Sequence, residues 1–380
     1  MQKKLLAIAV AGVLAPAAAM AQSTVEIYGR VNLGVDKWEA KGSATGATTD
    51  FKNRMRVYDG SSRLGFRVNE SLGGGMRAFA VIETGINLDT GSQAGQNGAA
   101  NASSGFWASR DSYLGLGGGW GDVRFGRQSI WWVNGVIAQT GPNFINTAVD
   151  SVINDPGIVS IPVSRQSNVV SYNSPTMGGF NATVSYSPNS EAAAANAEPD
   201  GKIYGVTGRY TAGPIRAQAD WAVNKVQTVA GVQAENTGTK FGLGYAYAPG
   251  SQISAIYGML ENDNFASVSG AKRDQDFFFV NWEHMIGQWQ VFAQYYKSMD
   301  VESQTGDIAN TGTSAYTLAA KYFLSKRTGV YVSYSVVTNE AAQFADISGG
   351  GMSSASATGL LTANAGADVK MMAVGIMHNF

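Results

Sequence analysis

Cysteine is absent and histidine occurs only twice, at His284 and His378. The first absence excludes a disulfide framework and a thiolate metal site. The second leaves no histidine-rich metal centre and gives a hydrolase only two bases to draw on. His284 sits in Phe279-Val280-Asn281-Trp282-Glu283-His284 with no serine motif beside it, so no catalytic residue is assigned. Net charge is also missing: 27 basic residues balance 28 acidic ones, which argues against a general nucleic-acid binder. Nor does any window beyond the N-terminal region hold the ~20 consecutive apolar residues of a spanning helix. Glycine-rich runs at Gly73 to Gly75 and Gly117 to Gly119 lack a following Lys-Ser/Thr, so they read as turns, not phosphate loops. No metal, cofactor or nucleic-acid partner is therefore expected.

What is present begins at the N-terminus. Lys3 and Lys4 precede an apolar stretch from Leu5 to Ala19, and Ala19-Met20-Ala21 has small residues at both ends. This is the pattern of a cleaved export signal covering residues 1–21, with a mature domain over 22–380. Removal of the two lysines makes the mature chain more acidic than its formal −1. The 47 glycines, 16 tyrosines and 8 tryptophans suit tight turns and interfacial aromatic girdles.

The mature chain has a short-long rhythm of connections. Glycine- or proline-marked turns fall at Ser71 to Gly75, Gly117 to Gly121, Pro175 to Gly179, Ala212 to Pro214, Pro249-Gly250, Gly287 and Ser325 to Thr328. Each is flanked by runs of period two, the hairpin signature. Ile215, Ala217, Ala219 and Trp221 alternate with Arg216, Gln218 and Asp220, for example, and Val330, Val332, Tyr334 and Val336 with Tyr331, Ser333 and Ser335. Long polar segments separate the hairpins: Asp36 to Gly60, Leu88 to Ala108, Arg127 to Gln166, Ser187 to Gly201, Asn224 to Gly238, Glu261 to Asp274, Met299 to Gly312 and Thr338 to Gly366. Seven turns and eight long loops imply sixteen strands. All turns then lie on one rim and all loops on the other. The fold expected is an all-β, transmembrane, 16-stranded antiparallel β-barrel, its short turns periplasmic and its long loops extracellular. Closure pairs every backbone group, as hydrocarbon requires, and a barrel this wide keeps a water-filled lumen.

Specific segments resemble a known family. They are Val25-Glu26-Ile27-Tyr28-Gly29, Ser62-Arg63-Leu64-Gly65-Phe66-Arg67, Ser109-Arg110-Asp111-Ser112-Tyr113-Leu114-Gly115, Gly121-Asp122-Val123-Arg124-Phe125-Gly126, Tyr172-Asn173-Ser174-Pro175 and the terminal Phe380. The chain is similar to the general-diffusion porins of β-proteobacteria over its whole mature length. The resemblance implies a homotrimer in the outer membrane, in contact with lipid and lipopolysaccharide, passing small hydrophilic solutes. It implies that the third loop, about 127–166, folds into the pore. There loop acids, here Asp150 and Asp155, would face an arginine cluster mapping to Arg63, Arg110 and Arg165. It adds that the assembly machinery recognises Phe380, which is also placed as an interfacial anchor. Two departures stand out: the apolar run Ile130-Trp131-Trp132-Val133 in the loop, and Met377 where similar porins often carry a basic residue.

Alternation places further side chains. With Leu64, Phe66 and Val68 outward, Arg63 and Arg67 face the lumen, and Arg30 lies opposite Val31 and Leu33. Leu114 and Leu116 are assigned to lipid or a neighbouring subunit, and Arg110 with Ser112 to the lumen; Arg124 is a further lumenal candidate. An arginine facing lipid at mid-depth costs ~2–4 kcal/mol. Such arginines either brace the wall through salt bridges or set a transverse field that attracts anions. The expectation is a mild anion preference. Trp131 and Trp132 either stack on an aromatic solute or anchor the loop, and anchoring is favoured. The competing reading keeps the barrel but makes it a solute-selective channel for a small organic anion or aromatic acid. A purely structural or adhesive barrel is the third.

Overall fold

In the computed structural model, residues 23–89, 91, 107–131, 152, 156–163, 165–188, 200–226, 228–345 and 365–380 are described. The expected signal peptide lies outside them. The strands are β1 Thr24–Lys41, β2 Phe51–Asp59, β3 Arg63–Gly73, β4 Met76–Gly85, β5 Ser112–Gly118, β6 Gly121–Ser129, β7 Arg165–Asn173, β8 Phe180–Ser187, β9 Lys202–Ala212 and β10 Ile215–Lys225. They continue with β11 Glu235–Ala248, β12 Ser251–Asp263, β13 Lys272–Ile286, β14 Trp289–Ser298, β15 Val301–Ser303, β16 Gly306–Ile308, β17 Thr313–Phe323, β18 Thr328–Asn339 and β19 Asp368–Asn379.

These segments make sixteen barrel strands. β2 and β3 are one strand interrupted at Gly60–Ser62, because both pair with β1, β2 along Leu33–Ala40 and β3 along Thr24–Arg30. β15 and β16 form a small hairpin inside the seventh loop, and β14 pairs directly with β17 beyond it. Every ladder is antiparallel, and β19 pairs with both β18 and β1, closing the sheet on itself. At the seam Gly29 and Phe380 exchange backbone hydrogen bonds of 3.1 Å in both directions. All seven expected turns join paired neighbours.

Period-two alternation sets the two faces. Val25, Ile27, Val31 and Val35 of β1 point outward and are exposed, whereas Arg30, Asn32 and Asp36 are buried on the inner side. The break at Gly60–Ser62 inserts one residue between the two ladders. Leu33 faces Asp59, but Arg30 faces Arg63. Inward positions are therefore even in β2 (Arg54, Arg56, Tyr58) and odd in β3 (Arg63, Arg67), as a bulge produces.

The first loop is shorter than the run Asp36 to Gly60. Asp36 and Arg56 are a cross-strand pair, with Arg56 Nε 3.0 Å from Asp36. The polar residues at that end of the run are inward-facing strand residues, which composition alone reads as loop.

Two interior clusters brace the barrel. In one, Tyr58, Phe292, Tyr331, Ala373 and Met377 pack together; the Tyr58 and Tyr331 hydroxyls are 2.6 Å apart, and Tyr331 donates to Asn32 Oδ1 at 2.7 Å. Met377 thus has a packing role where a basic residue was noted as missing. In the other, Ile130, Trp131, Val152 and Val159 of the third loop pack with the inward residues Ile256, Leu260, Phe277, Phe279, Val337 and Met371.

Candidate functional site

The third loop lies inside the barrel wherever it is described. Ile130 presses on the inner face of β9 at Gly205, where an added Cβ would sit 2.3 Å from Ile130 Cγ2. Trp131 and Pro162 cover Gly238 of β11, where an added Cβ would sit 3.0 and 2.8 Å from them. Only glycine lets the loop come this near the wall. On β12, Asn262 clamps Ser160 by two bonds, accepting its N–H at 2.8 Å and donating to its carbonyl at 3.0 Å. Trp131 is fully buried, with the Lys240 ammonium 4.4 Å from its ring centroid and Asp220 3.8 Å from that ammonium. Such a ring packs the loop against the wall and is closed to a passing solute. Trp132, Asp150 and Asp155 lie outside the described residues.

The arginines lie on the inner wall formed by β1 to β7. Arg30 and Arg63 are directly opposite one another on β1 and β3. Like charges so placed repel, and Glu83 of β4 stands beside them. It binds the Arg110 guanidinium and accepts a hydrogen bond from Tyr28 at 3.1 Å. Arg165 Nε donates to Asp111 at 2.8 Å, and Asp111 also accepts the Ser129 N–H at 2.9 Å. Arg127 donates to the Ser109 carbonyl and to Ser167 Oγ, each at 3.0 Å. The group thus contains five guanidiniums, of Arg30, Arg63, Arg110, Arg127 and Arg165, and two carboxylates.

Arg110 reaches the lumen by a route that alternation does not supply. It has the same parity as Leu114 and Leu116, which point outward, so strict alternation would send it to lipid. Arg110 and Asp111 instead lie in a bend ahead of β5, which starts at Ser112, after Ala108 at φ 63°. The bend turns both side chains inward. Arg110 is therefore lumenal through this bend and not through the alternation expected to place it with Ser112. Arg67 is inward and half exposed, bound to Glu26 at 2.6 Å. Arg124 is inward on β6, bound to Asp122 at 2.7 Å.

Sequence reasoning missed Glu83, Asp111, Arg127 and Lys321. Glu83 shares parity with Phe79 and Val81, a signal available on β4. Lys321 of β17 is buried, its ammonium 4.6 Å from the Phe323 ring, and lies within electrostatic reach of Arg30.

The facing wall is mostly neutral, lined by amides and hydroxyls such as Gln275, Gln294, Thr317 and Ser333. Its Glu283 is enclosed by the amides of Gln252, Asn281 and Gln290 at 2.9–3.0 Å. Fixed positive charge is therefore concentrated on one side of the lumen. Among the described residues, no group of three His, Cys, Asp or Glu could hold a metal ion.

The family model described as Gram-negative porin matches residues 6–342. Outer membrane porin protein 32 of Delftia acidovorans is 29% identical over 357 residues, 90% of this chain and 91% of the relative. Major outer membrane protein P.IB of Neisseria lactamica is 29% identical over 281 residues, 72% of each chain. Among solved structures, an anion-selective porin from Comamonas acidovorans superposes with a TM-score of 0.71 at 24% identity, covering 94% of this chain and all of that one. The trimer form of OmpT of Vibrio cholerae gives 0.63 at 15% identity, covering 94% and 99%.

Proposed function

The chain belongs to the Gram-negative porin family and forms an outer-membrane channel for passive diffusion, and we propose that the arginine wall of β1 to β7 makes this channel mildly anion-preferring. The single observation behind the reading is five guanidiniums against two carboxylates on one side of the lumen. Charge close to the ion path outweighs the chain's near-neutral total, because exposed charges beyond ~8–10 Å are screened at physiological salt. One superposable structure is that of an anion-selective porin, in keeping with this. Reversal potentials across planar bilayers in a salt gradient test it, and a cation-side potential would overturn it.

In this reading Arg63, Arg110 and Arg165 line the constriction, with Arg30 beside Arg63 and Arg67 and Arg124 further along the lumen. Asp150 and Asp155 face them from the third loop, and Phe380 serves assembly and anchoring. The mature chain starts at Gln22. The permeants are small hydrophilic solutes and ions that undergo no chemical change.

The assembly proposed is a homotrimer in outer-membrane lipid. The strands β7 to β18 carry exposed tyrosines and tryptophans on their outer face, among them Tyr172, Trp221, Tyr245, Trp282, Tyr295 and Tyr334. The outward residues of β1 to β6 include Val31, Met55, Leu64, Phe66, Ile82, Leu114 and Phe125, with no tyrosine or tryptophan. Interfacial aromatics mark surface that meets lipid headgroups, so the strands lacking them suit contact with other subunits. Analytical ultracentrifugation in detergent checks the trimer; a monomer would refute it.

A further inference from the structure

Nearer the short-turn rim than the arginine wall, the inner face of β4 to β9 carries a second group of guanidiniums that the anion preference itself does not require. Asp122, just after the turn that opens β6, binds Arg124 through Nε at 2.7 Å and Nη2 at 3.3 Å, and lies 3.9 Å from Arg77 Nη2. A hydrogen-bonded chain continues along the wall from this carboxylate. Asn173 donates to Asp122 at 3.0 Å, Thr183 to Asn173 at 2.7 Å, and Arg209 Nη1 to Thr183 at 3.2 Å. Two guanidiniums, of Arg77 and Arg124, thus share Asp122, while Arg209 joins them through Thr183 and Asn173 and has Asp220 within electrostatic reach. Arg209 also holds a buried Nε–H that has no acceptor among the described residues. Such a donor is closed to a solute, so Arg209 acts on an incoming anion through its charge.

The other partners of these guanidiniums are aromatic. Arg77 Cζ lies 4.6 Å from the Phe79 ring centroid, and Arg124 Cζ lies 5.7 Å from Phe79 and 5.1 Å from Tyr113. Both keep solvent access: the Arg77 side chain is half exposed and Arg124 about a third exposed. Guanidinium planes stack on aromatic faces and pair with carboxylates by charge-assisted bonds. We propose that this shelf is a second anion station, on the periplasmic side of the arginine wall, that retards small aromatic carboxylates. The aromatic ring of the solute lies on an open guanidinium face, and its carboxylate takes the donors that Asp122 leaves. The proposal rests on the reading that the channel passes anions.

The test is chloride current through the unmodified protein in planar bilayers, with benzoate or cyclohexanecarboxylate added. The two carry the same charge at similar size, and only benzoate has a ring that can stack. Benzoate should inhibit at a concentration about fivefold lower, the scale of one guanidinium–ring contact. In R77K/R124K, which keeps the charges and removes the planar faces, the two should inhibit alike. In R209Q both should weaken together. Equal potency in the unmodified protein, or a benzoate preference undiminished in the lysine variant, overturns the station. Failure of the underlying anion preference is read separately, as a cation-side reversal potential in potassium chloride alone.

Discussion

Arg63→Glu is the most direct perturbation of the arginine wall, because it reverses one charge directly opposite Arg30. The five guanidiniums and two carboxylates leave three uncompensated positive charges on this side of the lumen. An ion about 8 Å from a unit charge in water interacts with it by ~0.5 kcal/mol, which screening at 0.1 M salt cuts to about 0.2. Three such charges favour an anion by ~0.7 kcal/mol and disfavour a cation equally, an anion-to-cation ratio of roughly ten. The variant keeps one net charge, and the ratio should fall to about two. Arg63→Gln should lie between, at roughly five. In 1 M salt, where the Debye length is ~3 Å, even the unmodified protein should fall below about two. The assay is the zero-current potential of single channels in a salt gradient, at both ionic strengths and for all three proteins. A ratio unmoved by Arg63→Glu, or one that does not respond to salt, would refute the assignment of selectivity to this wall.

Other consequences are as direct. Trp131→Ala empties a fully buried site between the loop and β11, at a cost of about 3–5 kcal/mol. Single-channel recordings should show larger, noisier currents, and Trp131→Phe a smaller change. Tyr331→Phe removes the hydroxyl bonded to Tyr58 and Asn32, both fully buried. The loss, about 1–3 kcal/mol, should lower the temperature at which the folded band converts to the unfolded one on a gel. In the fourth and fifth loops, hydrogen bonds from the Thr228 N–H and hydroxyl hold the Asp200 carboxyl below its ordinary range. A depressed carboxyl stabilises above its unfolded value of about 3.9 and loses that contribution as pH falls through the folded value. Hydrogen exchange at the Thr228 amide should therefore report a latch intact at pH 6 and released only once the pH has fallen below the ordinary carboxyl value of about 3.9.

The strand count was legible because turns and loops differ in chemistry as well as length. Glycine at Gly73 to Gly75 or Gly213 marks a bend that no loop composition imitates. Facing was legible only where the ladder is regular. Leu64, Phe66 and Val68 correctly oriented Arg63 and Arg67, but the extra residue at Gly60–Ser62 means the same parity cannot be carried back into β2. At Arg110 alternation gives the wrong face, because a bend and not a strand sets its direction. The ion pairs were harder still. Arg165 meets Asp111 across a sequence distance of 54 residues, and only the register of intervening strands brings them together. The burial of Trp131 over Lys240 had no signature at all, since a lysine beside Phe241 reads as an ordinary inward strand residue.

The seam between β1 and β19 makes the order of events in folding a matter of topology. Arg30 and Asn379, which pair there, are 349 residues apart, so this ladder forms only when the first and last strands of the barrel have met. Until then the sheet has two unsatisfied edges, each a template for any passing strand. Contacts so distant in sequence come late, because the loop-closure entropy is lost before any pairing repays it. The Tyr58–Tyr331–Asn32 network joins β2, β18 and β1 on the inner side of the same junction. It cannot act before closure, and afterwards it holds the seam shut. This barrel is guided to completion by its outer strands and locked from within.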